Sequence, residues 1–418
     1  MISKLYKLAA LHGDADVNWN DHHLKVVARL DDSDIDALQL PSAVYPPHEI
    51  NNLHPIEASP SYSLGKVGIC AMENKALSKS NQAIFHHLKA NNAEIVLFGD
   101  DVLLNQPVEA WPTCDFLIAF YSDGFPLEKA ISYIQLRSPI LCNDLLMQKL
   151  LFDRRLCLHI LNVLGIRTPK RLEVSRDGGP SVTLDVVQRL YETVGLDIES
   201  FGYDGKPSTS PSVSLINDGN TLVVDGRELH KPFVEKPANA EDHNIYIYYP
   251  TTSDGGGGGR RLFRRIGNKC SEFDPELSIP RCITEEGTKN SYIYEPLLAA
   301  DCGQDVKAYT VGPYYCLAVT RKSPAVTNIV HRNANGKEVR QATELTREEA
   351  DAAAIVSVVF GQALCGFDII RNKGKSYVID VNGWTSVKNQ PAFYGDCAYV
   401  LLQMMIARRE RDKLCIIH

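Results

Sequence analysis

Three oxygen-bearing side chains fall where an apolar hairpin should present none. The run Gly366-Phe367-Asp368-Ile369-Ile370-Arg371 is followed, after Asn372-Lys373-Gly374-Lys375, by Tyr377-Val378-Ile379 and then Asp380-Val381-Asn382-Gly383. Asn-Lys-Gly-Lys is turn chemistry between two runs of β-forming residues, which predicts a β-hairpin. With the turn centred near Gly374, Asp368 stands opposite Asp380, and the strand period of two puts Asn382 on the same face as Asp380. Two carboxylates and a carboxamide are hard oxygen donors. Such a set holds Mg2+ beside a nucleoside triphosphate and leaves part of the shell to water and phosphate. The plain alternative is a solvated hairpin face that happens to carry two aspartates.

The elements around this hairpin must position it. At 418 residues, with 44% hydrophobic and 23% charged side chains, the chain has room for two or three domains with real cores. Its net charge of −7 argues against general affinity for nucleic acid or membrane surfaces, so an anionic ligand needs a local cluster of cations. No apolar run approaches the roughly 20 residues that span a bilayer, and the N-terminus has no signal-peptide core. The eleven cysteines lack Cys-x-x-Cys or zinc spacing. Most of them sit in apolar runs (Cys70, Cys142, Cys157, Cys365), which points to buried thiols in a reducing compartment, the cytosol.

Residues 1–64 show little periodicity and are expected to form a largely disordered extension. From Lys66, strand candidates 66–71, 94–98, 115–120 and 139–142 interleave with helix candidates 79–91 and 126–135, so 65–142 reads as a small open α/β domain. Asn143 is the expected N-cap of one long helix ending at Gly165, with Leu146, Leu150, Cys157, Ile160, Leu161 and Leu164 as its buried stripe. The Gly/Pro/Ser-rich stretch 175–220 around an amphipathic piece (184–194) reads as a surface insertion. A second α/β region fills the rest of 143–418, where Thr346-x-x-Glu349 forms the capping box of a helix reaching about residue 364.

Cations gather upstream of the hairpin. Lys236 closes a short β-like run, 230–237. Five glycines (255–259) then precede Arg260, Arg261, Arg264, Arg265 and Lys269, with no acid among residues 260–269. A glycine run lets backbone N–H groups approach phosphate, although its spacing is not that of a P-loop and a flexible linker is the plain reading. Guanidinium forks bind phosphate bidentately, which favours Arg over Lys in such a cluster. Lys307, Arg321, Arg332, Arg340 and Lys388 add to the set, each unremarkable alone. Arg154 can reach a phosphate or snorkel beside its helix, and Glu295 sits in a strand that can serve as a hinge. His243 has no nucleophile pattern around it, so a structural or phosphate-bonding role fits better than that of a base.

These motifs together resemble an ATP-grasp fold preceded by a small open α/β domain. The stretches 231–237, 240–250, 261–267, 365–368, 380–383 and 387–389 resemble the diphosphoinositol pentakisphosphate kinases in particular, over roughly residues 65–405. The resemblance implies that ATP is held by Arg154, Lys236, His243, Arg264, Glu295, Leu297, Leu298, Asp305, Lys307 and Ser323. It implies Mg2+ on Asp368, Asp380 and Asn382, and an inositol polyphosphate on Lys75, Arg264, Arg265, Lys307, Arg321, Arg332, Thr385 and Lys388. The catalytic work falls to Lys236, Arg264, Lys307 and Arg340. It further implies transfer to position 1 of the ring, and a histidine-phosphatase-like domain beyond this region in full-length members. The chain departs from the family at Asn74-Lys75, where relatives carry two lysines, and at Asp123, where a Lys can stand. Its glycine loop and its 175–220 segment are also longer than expected. The acceptor oxygen is already ionised at neutral pH, so positioning and charge neutralisation suffice without a general base. A carboxylate ligase of the same fold, or a catalytically silent inositol-phosphate sensor or scaffold, are the competing readings.

Overall fold

The computed structural model describes residues 64–198, 211–251, 256–326, 332, 334, 338–385, 387 and 390–417, without the side chains of residue 265 and of 411–417. The extension expected over 1–64 lies outside these up to residue 63, while Leu64 is buried. The first unit is a parallel sheet of β1 (Gly65–Cys70), β2 (Ala93–Leu97), β3 (Phe116–Ala119) and β4 (Ile140–Leu141), ordered β2-β1-β3-β4. Parallel strands need crossovers, supplied here by α1 (Glu73–Ala76), α2 (Lys79–Ala90), α3 (Asp100–Asn105) and α4 (Leu127–Arg137). Ser78 caps α2 by accepting from the Asn81 N–H, and Ile84, Phe85 and Leu88 form its buried stripe.

The single long helix expected from Asn143 is broken. A 3-10 stretch, Met147–Phe152, gives way to α5 (Arg154–Val163), because Asp153 is extended (φ −117°, ψ 113°) and caps the new helix from its side chain. The Arg154 N–H bonds instead to Ala238 O at 2.9 Å, and Asn143 donates its amide to Gln362 Oε1 at 2.8 Å. Within the stretch expected as a surface insertion, β5 (Leu172–Val174) lies just upstream and α6 (Leu184–Val194) buries Val186, Leu190 and Val194 in the same core as α5. That helix is therefore no surface appendage. β6 (Val213–Ile216), β7 (Thr221–Val224) and β8 (Arg227–His230) form a small antiparallel sheet, with Leu222 and Val224 packed against Phe233 and Tyr294.

Two larger antiparallel sheets follow. One, ordered β12-β11-β10-β9-β13-β5, contains β9 (Phe233–Pro237), β10 (Ile245–Tyr248), β11 (Gly259–Ile266), β12 (Lys269–Asp274) and β13 (Tyr292–Pro296). The short α7 (Arg281–Thr284) packs on its back. The other, ordered β16-β15-β14-β17-β18, contains β14 (Gln304–Val311), β15 (Tyr315–Lys322), β16 (Gln341–Thr343), β17 (Leu364–Asn372) and β18 (Lys375–Asn382). The capping box on Thr346 and Glu349 opens α8 (Arg347–Val359). That helix ends before the expected residue 364, since Gly361 turns left-handed (φ +58°) and the Gln362 N–H folds back to Ser357 O. The terminal helix α9 (Pro391–Ile417) returns to the first unit, its Phe393, Cys397 and Leu401 sharing a core with Ile69, Ile84, Phe116 and Tyr309. Cys70, Cys142, Cys157 and Cys365 are buried free thiols. Among the described residues, no helix is long and apolar enough to cross a membrane.

Candidate functional site

The hairpin of β17 and β18 turns through Lys373 and Gly374, both at positive φ (51° and 75°), as a two-residue primed turn requires. A plain two-residue turn would set Asp368 opposite Ile379. The register instead slips between Asp368 and Ile369, so that Ile369 faces Val378 and Asp368 faces Asp380. Ile379 is thus the extra residue of a bulge, a device that re-aims neighbouring side chains and frees a carbonyl. The freed carbonyl has a partner: Lys236 Nζ donates to Ile379 O at 3.0 Å. Asn382 Nδ2 lies 3.3 Å from Asp380 Oδ2, which confirms that the two share a face.

Burial pushes the Asp368 carboxyl upward, but Lys307, Arg321 and Arg340 outweigh it and hold the group below its ordinary value. Lys307, the register partner of Asp368 on β14, places Nζ 3.1 Å from Asp368 Oδ1. An ionised Asp368 beside Asp380 and the Asn382 carboxamide offers a hard-oxygen donor set that fits Mg2+. Among the described residues no three His, Cys, Asp or Glu cluster as a metal site, and the Asn382 carboxamide lies outside that set of donors.

Lys236, 6% exposed, is clamped between Ile379 O and Glu295 Oε2, the latter 2.6 Å away on β13. The other Glu295 oxygen, Oε1, is buried without a hydrogen-bond partner. Arg154 gives Nη1 to the carbonyls of Pro237, Asn239 and Asp242 and Nη2 to that of Ala240, so its fork shapes the loop between Lys236 and His243. Its Nε points to Asp380 Oδ1 at 3.9 Å and, like Glu295 Oε1, has no hydrogen-bond partner. His243 lies in the same field: burial lowers its pKa, Arg264 and Arg154 lower it further, and Asp380 pulls the other way. Arg264 is exposed, with Glu241 at 3.8 Å.

A third group lines the far side of Asp368. Asp305 faces Arg321 across β14 and β15, and each keeps one buried atom (Oδ1 and Nε) without a hydrogen-bond partner. Burial raises the Asp305 carboxyl to about 6, against the pull of Arg321 and Ser323. Arg340 is tied to Glu338 at 2.8 Å and donates to Tyr309 Oη at 3.0 Å. Thr385 packs over Gly366, where a Cβ would stand 3.1 Å from its own.

Other expected residues sit further out. Lys75 is exposed and linked to the hairpin end through Asn81, which receives Trp384 Nε1 and donates to Lys75 O. Arg332 donates to Asn268 at the tip of the β11–β12 hairpin. Lys388 and the Arg265 side chain lie outside the described residues. At the expected hinge, Leu297 N–H is taken by Pro232 O at 3.0 Å, and Leu298 follows it half-buried. The glycine run has a packing cause at its described end: a Cβ on Gly259 would stand 2.7 Å from Ile247 O, and one on Gly258 2.8 Å from Asp274 O.

Sequence reasoning passed over Glu235 and Arg281. Glu235 is fully buried and accepts from Arg281 Nε (2.5 Å), Arg281 N–H (2.8 Å), Tyr294 Oη (2.7 Å) and Tyr248 Oη (3.2 Å). The signal was present: in a strand reading Glu-Lys, one of the two must face away from the side of the sheet that meets the aspartate hairpin, its cleft side.

Residues 66–153 match the profile of the diphosphoinositol pentakisphosphate kinase 2 N-terminal domain. The chain is 50% identical over 349 residues to the inositol hexakisphosphate and diphosphoinositol-pentakisphosphate kinase of Saccharomyces cerevisiae, a match covering 83% of this chain and 29% of that protein. It is 44% identical over 336 residues to kinase 1 of that name from Rattus norvegicus, covering 80% of this chain and 21% of the other. The figure is 42% over 336 residues for kinase 2 from Homo sapiens, covering 80% and 24%. The chain therefore spans less than a third of the length of these relatives. A solved D-alanine–D-alanine ligase from Bacillus anthracis complexed with ATP aligns at 13% identity and a TM-score of 0.44, over 83% of this chain and 99% of that one. So distant a likeness carries no argument about chemistry.

Proposed function

We propose that this chain, a relative of the inositol hexakisphosphate and diphosphoinositol-pentakisphosphate kinases, transfers the γ-phosphoryl group of ATP to a phosphate of an inositol polyphosphate. The bond from the γ-phosphorus to its bridging oxygen breaks, one from that phosphorus to an acceptor phosphate oxygen forms, and ADP leaves. In this reading the two larger antiparallel sheets are the halves of an ATP-grasp fold, and the parallel sheet is the domain before them. Inositol hexakisphosphate or its 5-diphospho derivative is the acceptor.

One observation carries the reading. Arg154 Nε, Glu295 Oε1, Asp305 Oδ1 and Arg321 Nε are all buried without hydrogen-bond partners, and all belong to residues around the paired aspartates. Buried polar atoms are nearly always satisfied. Although other described residues, Arg260 and Arg261 among them, also keep an open atom, the gathering of these four beside the paired aspartates supports a ligand that completes them. Asp368, Asp380 and Asn382 would hold Mg2+, which would neutralise phosphate charge. Lys236 and His243 would bind the nucleotide phosphates, and Leu297 and Leu298 would border the base. Arg321 and Arg340 would meet the acceptor, with Lys307 between the two polyanions. Without this set, electrostatic repulsion alone would keep donor and acceptor apart.

Incubation with Mg-ATP and inositol hexakisphosphate, with products separated by charge, tests the reading. A more anionic inositol product and stoichiometric ADP are expected. Asp380→Ala should abolish turnover and leave inositol hexakisphosphate binding within about twofold. Free phosphate without a new inositol species, or unchanged turnover in Asp380→Ala, would overturn it.

A further inference from the structure

The sheet that carries Lys236 has a second charged layer on its opposite face. Along β9 and β13 the side chains alternate, Lys236 and Glu295 toward the cleft, Glu235 and Tyr294 away from it. Behind the sheet the α7 residue Arg281 lies between two rings, its Cζ 4.2 Å from the Tyr246 centroid and 4.6 Å from that of Tyr292. From that slot Nε reaches Glu235 Oε1 at 2.5 Å and Nη2 reaches Asn244 O at 2.7 Å. Asn244 follows His243 directly, and its side-chain Oδ1 accepts from Arg261 at 2.7 Å. One planar cation thus holds the strand of Lys236 and the backbone beside His243 at once. The short helix that carries it is fixed in turn by Arg176 Nη2 on Cys282 O at 2.8 Å and by Tyr294 Oη on the Cys282 N–H at 3.2 Å.

We propose that Arg281 is a positioning residue for the nucleotide, setting the spacing between Lys236 and His243 through Glu235 and Asn244; this rests on the nucleotide reading of the site above. Two features separate positioning from plain stability. A guanidinium stacked between two rings presents donors in fixed directions, whereas a lysine ammonium there can meet Glu235 but not Asn244 as well. And the charge balance can be restored without restoring the reach to Asn244. Glu235→Gln with Arg281→Met removes both charges, while the glutamine oxygen still accepts from Tyr294 and the residue-281 N–H, and its NH2 faces Tyr248 Oη, which can turn to accept.

The experiment measures, for the whole chain, binding of AMP-PNP with Mg2+ by calorimetry, binding of inositol hexakisphosphate alone, and the unfolding temperature. Arg281→Lys should weaken AMP-PNP about tenfold, as expected for one lost charge-assisted hydrogen bond, and leave inositol hexakisphosphate within about twofold. Arg281→Met should unfold earlier. Adding Glu235→Gln should recover most of the unfolding temperature but none of the AMP-PNP affinity. The inference is overturned if Arg281→Lys binds AMP-PNP like the wild type, if the double variant regains affinity together with stability, or if both ligands weaken in parallel. Arg281→Lys decides alone should Arg281→Met fail to fold. A wild-type chain that binds no AMP-PNP would overturn the nucleotide reading itself, and the inference with it.

Discussion

Glu349 is the residue whose loss should say most about how the aspartate hairpin is held. Its carboxylate, 2% exposed at the start of α8, accepts four hydrogen bonds. Oε1 receives Arg371 Nε at 2.8 Å and Ser376 Oγ at 2.7 Å, and Oε2 receives Arg371 Nη2 at 2.6 Å and the Thr346 N–H at 2.9 Å. Arg371 lies three residues beyond Asp368 and Ser376 four before Asp380, so one side chain pins both hairpin strands to the helix. In Glu349→Gln an NH2 must replace one oxygen. On either side it meets an Arg371 donor, although the Ser376 hydroxyl can turn to accept. A fully buried pair broken this way costs about 3–5 kcal/mol. Arg371 is 28% exposed, and water can recover part of its loss, which brings the figure to about 2–3 kcal/mol.

The same pair sets a pH signature. Burial alone would raise the Glu349 pKa, but Arg371, Ser376 and the Thr346 amide outweigh it, so the pKa is lowered. A lowered carboxyl stabilises the fold above its unfolded value, near 4.3, and that contribution disappears as pH falls through the folded value. The stability gap between wild type and Glu349→Gln should therefore be widest near neutrality and shrink below about pH 4. Urea unfolding of both proteins across this range measures it. A gap under about 0.5 kcal/mol at pH 7, or one that widens on acidification, would refute the reasoning.

Lys236→Met should both weaken Mg-nucleotide binding and destabilise the fold by about 3 kcal/mol, because it strands Glu295 in a buried site; Glu295→Gln in that background should restore much of the stability. Recovery absent in the double variant would show the pair is not the cause. Asp305→Asn should gain about 2 kcal/mol on wild type between pH 4 and pH 7, since a carboxyl raised to about 6 stabilises only below its unfolded value and loses that as pH rises. A difference flat with pH rules this out. Arg264→Ala removes an exposed side chain 3.8 Å from Glu241, so stability should change by less than about 0.5 kcal/mol while phosphoryl transfer falls at least tenfold. Unchanged transfer would take Arg264 off the reaction.

What the sequence carried was local. Strand alternation placed Asp380 and Asn382 on one face, the capping box on Thr346 and Glu349 was visible as a motif, and interleaved strand and helix patterns located the parallel sheet. What it could not carry depended on distant partners. The facing of Asp368 and Asp380 rests on a bulge at Ile379, and the freed carbonyl is used by Lys236, 143 residues earlier. The expected helix from Asn143 failed because Asp153 joins a bridge to Asn239, a contact no window of local sequence contains. Arg154 could reach a phosphate or snorkel on sequence alone, and the four carbonyls its fork gathers belong to a loop more than 80 residues away.

Glu235 and Glu295 show how this fold separates structural from functional charge. Both are buried acids on neighbouring strands of one sheet, each paired with a cation. Glu235, on the back face, has every oxygen satisfied by Arg281 and two tyrosines. Glu295, on the cleft face, keeps Oε1 unpartnered. An open buried polar atom costs about 1–3 kcal/mol, and Glu235 demonstrates that a buried acid of this sheet can avoid that cost. Asp305 Oδ1, Arg321 Nε and Arg154 Nε repeat the pattern on the cleft side. Strand alternation, with its period of two, is what allows it: one acid can be fully satisfied on one face while an acid on the other is left incomplete. A ligand that carries phosphate oxygens, and brings a hard cation and water with it, can complete such a strip. Binding should then stabilise the cleft side more than its own contact area suggests.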